Sequence, residues 1–229
     1  MRVLGDGDAR TLVACVADGA GSAKHSELGS SIACNTIIEN ATWYFEANRG
    51  LERLQQYNVL EWCEAVRTRI AEAAMLHDCK TREFATTLCI AIIGPTTSFF
   101  CQIGDGAIIL GNDLLYGVVF WPQSGEYANS TNFLTSDEYR EQLEFLITPT
   151  RCTKVALMTD GIERIALKFD SQTPHTPFFD PLFRALKSTA NVDSLNEGLR
   201  GFLSSDSVAH RSDDDKTLIL AARTEDGAA

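Results

Sequence analysis

Three short apolar runs in this 229-residue chain each end on an Asp-Gly pair: Val16-Ala17-Asp18-Gly19-Ala20-Gly21, Ile103-Gly104-Asp105-Gly106 and Met158-Thr159-Asp160-Gly161. A fourth acidic element, Asp213-Asp214-Asp215-Lys216-Thr217, lies near the C-terminus. The runs at 12–17, 98–103 and 155–158 have the length and apolarity of buried strands, so each Asp sits where a strand breaks into a turn. Asp-Gly is a good turn dipeptide in its own right. Three such turns on core strands, with an acidic cluster besides, also describe a metal site built from rigidly held carboxylates.

Donors of this kind select the cation. Oxygen-only ligands suit hard ions such as Mg2+ or Mn2+, whereas Zn2+ prefers the His and Cys that these motifs lack. If Asp18, Asp160 and Asp214 converge, they repel one another by roughly 4 kcal/mol per pair at about 4 Å in an effective dielectric of about 20. A cluster of that charge is tolerable only with cations in it. Two divalent ions would neutralise several carboxylates and ionise a bridging water near neutral pH for in-line attack on phosphorus.

Composition narrows the rest. With 45% hydrophobic residues and no Pro-, Gly- or Ser-rich linker, the chain is expected to form a single domain over residues 1–229. No apolar stretch reaches the ~18 residues of a membrane span, and the N-terminus lacks a signal-peptide core. A cytoplasmic protein without a membrane partner is therefore expected. The seven cysteines show no CxxC spacing and lie mostly in apolar runs, which argues against a disulfide framework and a zinc site. A formal charge of -11 argues against a nucleic-acid partner, since phosphate neutralisation needs a basic surface.

The hydrophobic pattern predicts a helix over 26–48 and a second one capped by Asn58 and Glu61. Strands over 86–93, 97–104 and 107–110 read as an antiparallel meander. A polar segment at 117–146 follows, with 136–145 helical. After it come the strand ending at Asp160, a Pro-rich loop with Pro174 and Pro177, helices near 181–188 and 194–203, and a last strand at 217–221. Strand-rich blocks flanked by helix pairs make an α+β fold of two antiparallel sheets covered by helices. Of the histidines, His77 lies on an apolar helix face, in the core or facing a partner. His25, near the first Asp-Gly turn, reads as a solvated loop histidine, with contact to a substrate as the alternative.

The ordered set Asp18-Gly19-Ala20-Gly21, Ala85-Thr86-Thr87, Gly104-Asp105-Gly106, Thr159-Asp160-Gly161 and Asp214-Asp215-Lys216-Thr217 resembles metal-dependent protein phosphatases of the 2C type. The stretch from Gly125-Glu126-Tyr127-Ala128-Asn129 to Leu134-Thr135 is similar to the middle segment of the bacterial branch. The resemblance implies an α-β-β-α sandwich with two Mn2+ or Mg2+ ions and a weaker third. Asp18 would bridge the two metals, the Gly19 carbonyl would bind one, and Asp160 and Asp214 would complete the pair. Asp105 would share the third ion with Asp160. Asp214 is preferred over Asp213 and Asp215 because the family pattern runs Asp, then Asn or Asp, one residue, then Thr.

Two departures stand out. The resemblance places a first strand, with a phosphate-binding Arg and an acidic residue, more than twenty residues before the first Asp-Gly motif, whereas seventeen residues precede Asp18. That strand is expected to be missing, with Arg2, Asp6 and Asp8 too close to replace it and residues 5–8 forming a hairpin turn. Ala20 stands where many eukaryotic members have a His proposed as general acid.

The function implied is a protein serine/threonine phosphatase in bacterial signalling, with a phosphorylated protein as substrate and a cognate Ser/Thr kinase as counterpart. Its hydroxide would attack phosphorus with no phosphoenzyme. A catalytically weak regulatory or binding module is the alternative, motivated by the missing strand; a hydrolase of small phosphorylated metabolites is a third reading. The segment 117–135 is expected to form a flap beside the cleft, with Glu126, Tyr127 and Asn129 gripping a peptide or bracing the loop; a passive surface excursion is the alternative.

Overall fold

The computed structural model describes residues 1–5, 10–47, 50–112, 114–124, 131–189 and 191–223. In chain order the elements begin with β1 (Arg2–Leu4), β2 (Thr11–Val16), α1 (Ser26–Glu46), α2 (Gln56–Leu76), β3 (Leu88–Ile93), β4 (Ser98–Ile103), β5 (Ala107–Gly111) and β6 (Tyr116–Val118). They continue with α3 (Tyr139–Gln142), β7 (Glu144–Thr148), β8 (Lys154–Met158), α4 (Glu163–Ala166), β9 (Leu167–Lys168) and β10 (Thr173–Pro174). The last are α5 (Thr176–Ser188), α6 (Val192–Leu203), α7 (Asp206–Ala209) and β11 (Leu218–Ala222). Two compact units result, one of residues 1–106 with 122–151, the other of 107–121 with 152–229.

The first unit is a five-stranded antiparallel sheet in the order β1-β2-β3-β4-β7. Alternate residues Val13, Cys15, Ile90, Ile92, Phe99 and Cys101 pack with Ala33 and Ile37 of α1 and Val59, Val66 and Ile70 of α2. Alternation with period two in the strands and three to four in the helices is what lets one face of each meet. The other strand face is buried as well, at Ala14, Ala91 and Phe100. This explains why β3 reads as an unbroken apolar run, Leu-Cys-Ile-Ala-Ile-Ile, rather than an alternating one.

In the second unit the sheet order is β11-β8-β5-β6, again antiparallel. Phe178, Phe179 and Phe183 of α5 pack on Ile109, Ala156 and Met158. A two-stranded antiparallel ribbon, β9 with β10, completes the second unit, and sheets with their helices give the α+β make-up expected.

Several local readings are corrected. Strands β3, β4 and β5 are not one meander: β4 takes β7 as its second neighbour, and β5 joins the other sheet between β8 and β6. The Gly104-Asp105-Gly106 turn is therefore a crossing between sheets. The second helix begins three residues early, with Gln55 as N-cap and Asn58 at the third position, its side chain accepting from Gln55 N–H at 3.0 Å. Residues 136–145 hold only one helical turn, because Glu144-Phe-Leu-Ile-Thr carries aromatic and β-branched side chains that suit the edge of the sheet. Pro177 opens α5 rather than lying in a loop, since its missing N–H costs nothing in a first helical turn. The strand before β2 is, as expected, only its hairpin partner: β1 pairs with it antiparallel, Arg2 opposite Val13 and Leu4 opposite Thr11. Of the hairpin turn expected at 5–8, residues 6–8 lie outside the described residues.

A polar tie fastens α2 to the segment before β7. Arg67 donates to the carbonyls of Leu134 and Ser136 at 2.6 and 2.7 Å and lies 4.4 Å over the Tyr139 ring. Glu64 accepts from the Tyr139 hydroxyl and from Arg140. The hydroxyl, then Arg140, hold the Glu64 carboxyl below its usual value, while burial and then Glu64 push Tyr139 up to about 12. A depressed carboxyl stabilises the fold above 4.5 and loses that contribution as the pH falls through its lower native value. A raised phenol stabilises below 10 and loses its contribution as the pH rises towards about 12. Tyr139→Phe should lower the melting temperature most between those limits, with the deficit shrinking in acid and in strong alkali. Thermal unfolding across pH, on wild type and variant, checks this; a constant deficit at every pH contradicts it.

Candidate functional site

In the first unit, β2 runs into Asp18, and the chain there is held by one neighbour. Thr87 donates its N–H to the Asp18 carbonyl at 2.8 Å, and its hydroxyl accepts the Asp18 N–H at 3.0 Å. Gly19 forms an isolated antiparallel bridge with Thr86, and Ala20 N–H donates to the Ala85 carbonyl at 2.9 Å. Both backbone groups of Asp18 are thereby fixed while its side chain stays partly exposed. Gly19 also tolerates no side chain: a Cβ there would lie 2.6 Å from the backbone carbon and oxygen of Ser26, where α1 begins.

Asp105 follows the end of β4 on a turn that touches the same threonine, since a Cβ on Gly104 would meet Thr87 Cγ2 at 2.5 Å. Burial, and after it the Asp105 charge, raise the pKa of the Cys89 thiol. The Gly104 N–H donates to Gln123 Oε1 at 2.9 Å, and the Gln123 N–H to the Gly104 carbonyl at 3.1 Å. Gln123 Oε1 also accepts from Asn132 at 3.1 Å, and its Nε2 donates to the Gln142 carbonyl at 2.8 Å and to Glu144 at 2.9 Å. Leu134 N–H donates to the Thr86 carbonyl at 2.9 Å. One amide side chain thus ties the Asp105 turn to both flanks of the segment at 124–131. Sequence reasoning missed Gln123 because a lone amide in a polar stretch carries no pattern. Glu126, Tyr127 and Asn129, the expected gripping residues of a flap, lie outside the described residues.

In the second unit, β8 ends at Thr159, and Asp160–Ile162 makes a single 3-10 turn before α4. Thr159 N–H donates to the Thr217 carbonyl at 3.2 Å, and Thr217 N–H to the Thr159 hydroxyl at 3.1 Å. Close packing completes the link, because a Cβ on Gly161 would run into the Asp215 carbonyl oxygen. Asp160 Oδ1 is buried with no hydrogen-bond partner. Asp213, Asp214 and Asp215 are all exposed, so burial does not single one out. Asp214 alone folds its carboxylate back onto the chain, accepting the Asp215 N–H at 2.8 Å.

The five expected donors thus divide, with Asp18, Gly19 and Asp105 on one unit and Asp160 and Asp214 on the other. Among the described residues, no three His, Cys, Asp or Glu side chains are grouped as a ready metal cage. The donor chemistry nevertheless fits a hard divalent cation. Every donor is an oxygen, and a buried carboxylate oxygen without a proton donor is costly unless a cation or water meets it.

Of the two readings for His77, core or partner-facing, the structure excludes the first. His77 is exposed at the C-terminal end of α2 rather than in the core. Its ring centroid is 4.6 Å from that of His25, which stacks on Phe84 at 5.1 Å. Both belong to an aromatic cluster beside the start of α1.

Residues 3–204 match the family model described as Protein phosphatase 2C. The chain belongs to that family. This 2C phosphatase is 37% identical over 215 residues to Serine/threonine-protein phosphatase 3 of Escherichia coli strain K12, covering 92% of this chain and 83% of that protein. Its fold is that of solved bacterial phosphatases. Serine/threonine phosphatase Stp1 from Staphylococcus aureus has a TM-score of 0.61 at 18% identity, over 95% of this chain and 85% of that one. The catalytic domain of the phosphatase PstP, solved with two manganese ions, has a TM-score of 0.56 at 13% identity, over 96% and 88%.

Proposed function

We propose that this 2C phosphatase hydrolyses phosphoserine and phosphothreonine in proteins, using divalent cations held by Asp18, the Gly19 carbonyl, Asp160 and Asp214, with Asp105 at a weaker third position. The E. coli relative's name supports the substrate class. The two manganese ions in the PstP structure support the metal count. Asp160 Oδ1 is the observation that carries the metal reading: it is a carboxyl oxygen, buried, and receives no hydrogen bond. In this reading residues 1–229 act as one phosphatase domain. The phosphorylated partner is a bacterial signalling protein, opposed by a cognate Ser/Thr kinase.

When bound, Mn2+ or Mg2+ would supply the Lewis acid that ionises water near neutral pH and offsets charge on the phosphoryl oxygens. The chain's own residues position rather than react. Thr87 locks the Asp18 backbone, Gly19 lets the start of α1 pack against the turn at Ser26, and the Thr159–Thr217 pair holds the Asp160 turn against the 213–217 segment. No side-chain nucleophile is required, so no phosphoenzyme forms. Ala20 cannot protonate the leaving oxygen, and its N–H is already given to Ala85. Arg2 does not serve as a phosphate ligand either, because it faces Thr42 at 3.3 Å and Glu46 at 3.9 Å, opposite Val13 and away from the Asp18 end of β2.

The alternative, a weak binding module, takes its motive from the absent first strand, since β1 (Arg2–Leu4) is the hairpin partner of β2 within the seventeen residues before Asp18. Among the described residues no helix is long and apolar enough to cross a membrane.

The purified chain is expected to hydrolyse a phosphothreonine peptide and an aryl phosphate with Mn2+ or Mg2+, and to be silent in EDTA. Calorimetric titration should show divalent binding independently of turnover. Undiminished activity in EDTA contradicts the metal reading. Metal binding with no turnover on either ester favours the binding module, and a large preference for one small ester over phosphopeptides favours a metabolite hydrolase.

A further inference from the structure

Two pairs of thiols meet within the first unit. Cys63 of α2 and Cys101 of β4 are both fully buried, where an oxidant has no path. Cys15 of β2 and Cys34 of α1 differ from them in access. Their sulfurs are 3.6 Å apart, and Cys34 Sγ also lies 3.8 Å from the Cys15 carbonyl oxygen. Cys15 is buried, while Cys34 is partly exposed. A thiol that is both reachable and in contact with a second thiol is the arrangement that oxidises to a disulfide rather than to a terminal acid.

We propose that Cys15 and Cys34 form a reversible disulfide, closed by a hydroperoxide and reopened by a dithiol reductant, which sets the position of α1 over the Asp18–Gly19 turn. Cys34 is the attacking sulfur. The hydrogen bond from Cys15 lowers its pKa, while the same bond, then burial, raises that of Cys15. Its thiolate attacks one oxygen of hydrogen peroxide; the S–O bond forms, the O–O bond breaks, and the hydroxide released is protonated to water. Cys15 sulfur, giving up its proton, then attacks the Cys34 sulfenic acid; the S–S bond forms, the S–O bond breaks and a second water leaves. The two thiols lose two electrons and two protons together, and the peroxide is reduced to two waters.

Closing the bond brings the sulfurs from 3.6 Å to about 2.05 Å. Strand β2 cannot follow easily, because it is paired with β3 from Leu12 to Val16. The movement falls on α1, whose first residue already lies against Gly19 and whose approach loop is tied by His25 N–H to the Glu83 carbonyl at 2.7 Å. A misplacement of about 1 Å near reacting groups can cost on the order of 100-fold in rate. The effect on turnover rests on the phosphatase reading; the disulfide itself does not.

The test treats the full chain with hydrogen peroxide, blocks remaining thiols, and maps the peptides by mass spectrometry. A linked Cys15–Cys34 peptide is expected, with amide exchange at Ala20 and His25 altered. Turnover of an aryl phosphate with Mn2+ should fall by roughly 10-fold or more and return with dithiothreitol. Cys34→Ser, or Cys34→Ala should the first fold poorly, should keep basal turnover and lose the peroxide response. Failure to find the linked peptide in folded protein overturns the site. A linked peptide with unchanged exchange and unchanged turnover overturns the control of α1. Absence of turnover before oxidation counts against the phosphatase reading alone, since the peptide and the exchange still decide the disulfide and the movement.

Discussion

Asp18→Asn, Asp160→Asn and Asp214→Asn will each lower turnover by more than about 100-fold, because even partners one shell beyond a metal ligand cost 10–100-fold. Asp213→Asn will leave it close to wild type. The amide keeps the shape of the side chain and removes the charge a cation needs. Asp160 adds a second expectation of opposite sign. Its buried oxygen lacks a donor, so replacing the carboxyl by an amide that cannot ionise should stabilise the metal-free chain even as activity is lost. Thermal melts in EDTA and in Mn2+ read both effects: Asp160→Asn should melt higher than wild type in EDTA and lose the rise that Mn2+ gives. A lower melting temperature in EDTA would show that the oxygen is satisfied by solvent. Asp105→Asn should lower turnover while calorimetry still finds two tight sites; loss of both contradicts its assignment to the weaker third position.

Nearly as large an effect is expected from a single methyl at either close approach. Gly19→Ala places a carbon 2.6 Å from the Ser26 backbone carbon and oxygen, and neither atom is the end of a flexible side chain. Either α1 or the Asp18 turn must move, at about 1–3 kcal/mol of overpacking and a loss of turnover on the order of 100-fold. Gly161→Ala meets the Asp215 carbonyl oxygen in the same way and should push the 213–217 segment off the Asp160 turn. Gly21→Ala is the control, since nothing lies within 4 Å of its Cβ position. Full turnover in Gly19→Ala, with the melting temperature of Gly21→Ala, would show that the approach of α1 to the turn does not matter.

The turns that end strands were legible because Asp-Gly after an apolar run is a local signal, and the structure puts Asp18, Asp105 and Asp160 just past β2, β4 and β8. The 26–48 helix and the last strand were legible for the same reason, in periodicity. Partner choice between strands was not. β4 and β5 are separated by three residues, which reads as a hairpin, yet their partners are β7 and β8, far along the chain. Nothing within a few residues encodes that. The role of Thr87 was hidden too: its hydroxyl matters because Asp18 lies against it, a contact across 69 residues. Asp214 was chosen over its neighbours by family pattern, and the exposure of all three leaves that choice to mutagenesis.

Gln123 and Asn132 stand nine residues apart and are joined by their own side chains at 3.1 Å. A closed chain of this kind can be lengthened cheaply, since each doubling of a flexible loop adds only about 0.6 kcal/mol of closure entropy. Segments of other lengths and sequences can therefore be spliced between these two anchors while the Asp105 turn keeps its hydrogen bonds. The hydrogen bonds of the Asp105 turn are thereby insulated from changes in the length or sequence of what lies between those anchors.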